Sequence, residues 1–211
     1  MGEFIYLEER EVQARGLNLS AKPQEEKIKK FLLTEEFVRW QKIKELHLSS
    51  QLPKQIPQTL FYPGCGSDIF FPLAYIYQLF PKLREINFLF VDLVDALGMI
   101  KTMLEEAGIS FSQKGNKINF YWYNLLVHLQ FVVSNAFIFI DRMPPFQVYF
   151  ERTFRIMKEQ DDFFEQNVYE KLSSGGIIIS DSGFQQFPLQ KIYLPVNLSV
   201  YEEMILGIKE T

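Results

Sequence analysis

The sequence predicts an α/β fold, a mostly parallel sheet with helices on both faces and antiparallel strands closing one side. Three observations carry this. Short continuous apolar runs recur at 59–62, 86–93, 136–141 and 175–183, longer amphipathic stretches separate them, and the first run ends in two closely spaced glycines, "YPGCGSD". Continuous rather than alternating apolar strands are those buried on both faces, which is the condition of a parallel sheet between helical layers.

The elements follow in order. Residues 23–47 carry Ile28, Phe31, Leu32, Phe37, Val38, Trp40, Ile43 and Leu46 at three- and four-residue intervals, which predicts a leading helix with one apolar stripe. Pro53 and Pro57 then mark a connector, so residues 1–57 are expected to form an N-terminal helical extension or lid and residues 58–211 the α/β domain. A first strand at 59–62 is followed by a helix over 68–80, a strong strand "INFLFVDL" at 86–93, and a helix over 94–107 stopped by Gly108. Residues 109–135 alternate around Gly115-Asn116 and Asn124, as strands of a hairpin do. "AFIFID" at 136–141 reads as a third buried strand, 147–172 as a long charged helix, and "GGIIISDSG" at 175–183 as a fourth strand. The tail, with "MILGIK" its best strand, supplies the closing antiparallel pair.

Composition narrows the function classes. A chain of 211 residues that is 47% hydrophobic and 16% aromatic can bury one large core. The formal net charge of −4 gives no general attraction to a phosphate backbone, so a nucleic acid is not an expected partner. No apolar run approaches the roughly 20 residues of a membrane span. The opening "MGEFIYLEER" turns acidic at once, unlike a secretory signal, and the expected location is the cytoplasm. Cys65 is the single cysteine, and with His47 and His128 it offers no zinc-ligand spacing, so no metal is expected. The two histidines read as structural or surface residues, and "FYWY" at 120–123 as core. Oligomeric state is not legible.

The glycine turn carries the chemistry. In an open parallel sheet, ligands lie outside the carboxyl ends of the strands, where a strand passes into a helix, and glycine there lets a ligand lie against bare main chain. A dinucleotide fingerprint would place a third glycine at Ile69, and Asp68 would repel a pyrophosphate. A phosphate loop would need a Gly-Lys-Ser or Gly-Lys-Thr that is absent from this turn. A ligand bearing an ammonium and a sulfonium is compatible with the carboxylate.

In "LFYPGCGSD", in the acidic end of "FLFVDL", in a strand ending at Asp141 and in "LSSGGIIISDSG", the chain resembles the class I methyltransferases that use S-adenosylmethionine, over about residues 58–185. The resemblance implies a Rossmann-like fold, S-adenosylmethionine as cofactor, Tyr62, Gly64, Cys65, Gly66 and Asp68 around its methionine and ribose, and Asp92 on the ribose hydroxyls. A carboxylate offers two acceptors to two vicinal hydroxyls. The family's acidic residue ahead of the turn and its third glycine are here Tyr62 and Asp68. "DRMPPF" at 141–146 is similar to the motif that holds a target amine, with Met143 in the polar slot; Asp141 is the expected substrate-contacting or general-base residue. The expected reaction is methyl transfer to a small-molecule acceptor, and the alternative is a non-catalytic interaction protein on a degenerate version of the same fold. Asp68 and Asp92 also read as helix caps, and Asp181-Ser182-Gly183 as a turn.

Overall fold

The computed structural model describes residues 22–52, 57–198 and 204–210. The opening segment read against a secretory signal and residues 53–56 of the proline connector lie outside the described residues. Nine described strands form one sheet: β1 Thr59–Pro63, β2 Glu85–Asp92, β3 Phe111–Lys114, β4 Lys117–Trp122, β5 Leu125–Val133, β6 Phe146–Glu151, β7 Leu172–Ser180, β8 Leu189–Ile192 and β9 Ile205–Lys209. Their order is β3-β4-β5-β2-β1-β6-β7-β9-β8. The central five, β5 to β7, are parallel, and antiparallel strands flank them on both sides. This is the Rossmann-like architecture expected from the runs of buried residues.

Each sheet face carries its own core. Leu60, Tyr62, Phe88 and Phe90 point to one side with α3 (Phe70–Leu79), α4 (Leu97–Glu106) and the leading helices α1 (Glu25–Ile28) and α2 (Thr34–Ile43). Phe61, Val91 and Tyr149 point to the other, against α5 (Ala136–Arg142) and α7 (Phe164–Lys171). Residues adjacent in β1 thus belong to different cores, as the two-residue period of a strand requires. α2 docks on α3, where the Trp40 indole donates to the carbonyl of Phe70 at 3.0 Å.

Three expectations need correction. The single leading helix is broken: Leu33 is extended and its amide donates to the Glu36 carboxylate at 3.1 Å, starting α2 afresh with two acidic residues in its first turn. Residues 136–141 form helix α5, not a strand. The Asn135 side chain accepts from the Phe137 amide at 2.9 Å, and the buried Ala136 and Ile140 stand four residues apart on one helical face. The strand expected there is β6, which begins directly after Pro144-Pro145, so the long helix expected over 147–172 is instead β6, a short α6 (Arg155–Lys158) and α7. The hairpin over 109–135 is as expected, with Gly115-Asn116 linking β3 to β4.

Candidate functional site

The carboxyl ends of β1, β2, β6 and β7 lie side by side, and the glycine turn follows β1. Gly64 and Gly66 both take left-handed backbone angles, φ 59° and 49°, and the Gly64 amide donates to the Val91 carbonyl at 2.8 Å. Their surroundings differ. A Cβ on Gly64 would stand 2.3 Å from the ring of Phe154, whereas one on Gly66 would meet nothing within 4 Å. The protein's own aromatic ring covers the first glycine, and the second stands open.

Asp92, at the end of β2, faces that open glycine. One carboxylate oxygen accepts from the Gly66 amide at 2.8 Å and the other from the Val94 amide at 3.0 Å. Each oxygen keeps further acceptor capacity. Beside it, Leu93, Val94 and Val133 are 70%, 70% and 56% exposed. Val133 pairs with Asp92 across the β2–β5 ladder. Val133 and Phe131 also line a cavity of about 360 Å³, together with Asp95, Leu97 and Asn116.

Asp68 is engaged by the protein. One oxygen accepts from the Tyr62 hydroxyl and from Arg152, both at 2.9 Å, and the other from the Phe71 amide at the start of α3, at 3.3 Å. Arg152, just past β6, also reaches Glu36 of α2 at 3.2 Å and lies 3.3 Å over the Phe71 ring. Burial works against the guanidinium charge, but Asp68, Tyr62 and Glu36 outweigh it and hold the pKa above its ordinary value. Tyr62 is buried, and burial followed by the Asp68 charge pushes its hydroxyl well up. Cys65 is buried as well, and burial, then the charges of Asp92 and Asp68, raise its thiol, which disfavours the thiolate.

The β6–β7 end holds a buried polar network. Glu151 accepts from Lys158, from the Ser180 hydroxyl and, at 2.6 Å, from the Tyr149 hydroxyl; Lys158 also meets Glu165 at 3.0 Å and the Ser182 carbonyl at 2.7 Å. Burial raises the Glu151 pKa, against the opposing pull of Lys158, Ser180 and Tyr149. Next to it, Thr153 takes φ 57°, a strained angle for a β-branched residue. Asp181 holds it there, accepting from the Thr153 amide at 2.6 Å. That one bond fixes the link between Arg152, which goes to Asp68, and Phe154, which goes to Gly64. The second oxygen of Asp181 has no partner among the described residues, and burial raises its pKa, partly offset by Thr153, Arg152 and Lys158.

The structure therefore brings Tyr62, Gly64, Cys65, Gly66, Asp68 and Asp92 to one end of the sheet. Asp141 is elsewhere. It lies exposed near the end of α5, and its carbonyl accepts from Lys171, the residue preceding β7, at the opposite, amino-terminal edge. Arg152 and Thr153 escaped the sequence reading because a strand was placed ten residues too early, and Asp181 was read only as part of a turn. The proline pair followed by "FQVYFE" was the available signal.

No protein-family model matches the chain, and no curated protein matches it. Solved structures do. The SAH-bound methyltransferase PaMTH1 of Podospora anserina is 10% identical with a TM-score of 0.46, over 85% of this chain and 89% of that one. MnmC2 of Aquifex aeolicus is 12% identical with a TM-score of 0.46, over 85% and 58%. The precorrin 8w decarboxylase of Methanobacterium thermoautotrophicum is 15% identical with a TM-score of 0.37, over 59% of this chain. The chain spans 54% of that decarboxylase, about half its length. At such TM-scores the likeness does not fix the arrangement of the chain; sheet order and register do.

Proposed function

We propose that the protein binds S-adenosylmethionine at the open half of this edge and transfers its methyl group to a small-molecule acceptor. The observation that carries the reading is the pairing of Gly66, with open space at its α-carbon, and Asp92, whose two oxygens each retain acceptor capacity. These residues fit a nucleoside: Asp92 would take the ribose hydroxyls, and Leu93, Val133 and the adjoining cavity would take a flat base. Gly64, Cys65 and Asp68 shape the turn from behind, with Tyr62 bracing Asp68. The cofactor, when bound, supplies an electrophilic methyl group. The chain supplies placement and exclusion of water. The Glu36–Arg152 bridge ties α2 to the Asp68 side of the turn, where the leading helices would wall that flank of the site.

A second reading has its own observation: Phe154 covers Gly64 and Arg152 neutralises Asp68, as in a turn that has given up its ligand. Calorimetric titration with S-adenosylhomocysteine separates the two. Saturable heat at one site, weakened about tenfold or more in Asp92→Asn, supports the first. Absence of heat in the parent leaves the non-catalytic interaction protein.

A further inference from the structure

The order of the strands sets which part of a ligand meets which part of the edge. Strands β5, β2, β1 and β6 follow one another, each about 4.8 Å from the next. A nucleoside with its base at Val133, the last residue of β5, and its ribose on Asp92 of β2 sends its 5′ substituent onward over β1, onto Gly64 and toward β6.

The protein fills that path itself. Phe154, just beyond β6, lays its ring on Gly64, where a Cβ would stand 2.3 Å from one ring carbon and 2.5 Å from the next. The same ring meets Phe137 and Phe164, at centroid separations of 5.9 and 5.7 Å. Phe164 is buried and Phe137 only half-buried, so the ring belongs to the margin of its core.

The segment that delivers the ring is strained. Arg152 is pinned to Asp68 and Glu36. Next to it the exposed Thr153 holds φ 57°, against the preference of a β-branched residue. Its hydroxyl donates only to the adjacent Arg152 carbonyl, at 2.7 Å, so among the described residues the bond that opposes the strain is the one from the Thr153 amide to Asp181. The other oxygen of Asp181 is buried without a partner among the described residues, so the carboxylate that holds the bond is itself incompletely satisfied.

We propose that Phe154 is an autoinhibitory plug over the half of the site that takes the amino-acid tail of S-adenosylmethionine, latched by the Asp181–Thr153 bond and displaced when the tail binds. The proposal rests on the S-adenosylmethionine reading of this edge. Turning Thr153 out of the left-handed region relieves its strain and moves the ring, while Arg152 stays on Asp68. With the plug in, Gly64 backs the turn; with it out, Gly64 offers bare main chain to the tail. A nucleoside without a tail leaves the plug in place.

The probes are adenosine and S-adenosylhomocysteine, which share the nucleoside and differ in the tail, titrated calorimetrically into the full chain. Phe154→Ala should tighten S-adenosylhomocysteine about tenfold or more and leave adenosine within about twofold of the parent, because the parent accepts the tail only in the fraction of molecules with the plug out. Asp181→Ala, which removes the latch and keeps the ring, should shift S-adenosylhomocysteine in the same direction. Should a variant fail to fold, the parent alone decides: S-adenosylhomocysteine, but not adenosine, should speed hydrogen exchange at the Thr153 amide as its bond to Asp181 opens. Adenosine binding with no gain for S-adenosylhomocysteine in the folded variants, or Thr153 exchange that S-adenosylhomocysteine leaves unaltered, overturns the plug and keeps the nucleoside site. Binding of neither ligand, by parent or variants, overturns the plug and the methyl-transfer reading together.

Discussion

The two halves of the sheet's carboxyl edge solve opposite problems with the same kinds of residue. At β6 and β7, the acidic Glu151 is wholly enclosed and surrounded by protein donors: Lys158, Ser180 and Tyr149. At β2, the acidic Asp92 is half-buried and, among the described residues, is bound through two backbone amides, beside side chains open to solvent. A buried carboxylate must be completed from within the protein or carry a large desolvation penalty. One left incomplete at an open edge can be completed by a ligand. Partner counts, more than residue types, tell the structural half from the binding half.

The largest test of this contrast is Lys158→Met. It leaves Glu151 buried without its counter-charge, and we expect a loss of about 3–5 kcal/mol in denaturant unfolding, most of it restored by adding Glu151→Gln. A loss under about 1 kcal/mol would mean that the network is solvated and the two halves alike. Next comes Gly64→Ala, which drives a methyl group into the Phe154 ring at a left-handed position; about 2–3 kcal/mol is expected. Gly66→Ala shares the backbone strain but meets open space, and should cost only about 1–2 kcal/mol while weakening nucleoside binding. Equal costs at the two glycines would erase the asymmetry between them.

The smallest effect concerns Asp181. Burial raises its native pKa, so the native state holds its proton more tightly than the unfolded chain does. The resulting stability is complete below the ordinary aspartate value of about 4 and is lost as pH rises through the elevated native value. Asp181→Asn should therefore flatten part of the fall in stability with rising pH above about 4, the part from Glu151, shifted in the same direction, remaining. An unchanged slope would place Asp181 in contact with water.

Much of this was legible in the sequence. The continuous apolar run of β2 and the glycine turn announce a buried parallel sheet, because burial on both faces leaves no polar positions to alternate. "FSQKGNKINFYW" announces its hairpin through Gly115-Asn116. "AFIFID" deceived because six residues of apolar and aromatic character suit either element, and what decides is the Asn135 cap, a local hydrogen bond that competes with an extended strand. With the strand misplaced, Asp141 was assigned to the wrong edge and Arg152 went unnoticed. The engagement of Asp68 by Arg152 was not legible at all, since 84 positions separate the two residues and only the β1–β6 pairing brings them together.

The most direct measurement is hydrogen–deuterium exchange of backbone amides with and without S-adenosylhomocysteine. The open half should respond: slowed exchange at 64–68 and 92–94, where Gly66 and Val94 meet Asp92, with 180–184 unchanged. No change at 64–68 and 92–94, or protection confined to 180–184, would contradict the assignment of the glycine–Asp92 half as the ligand site.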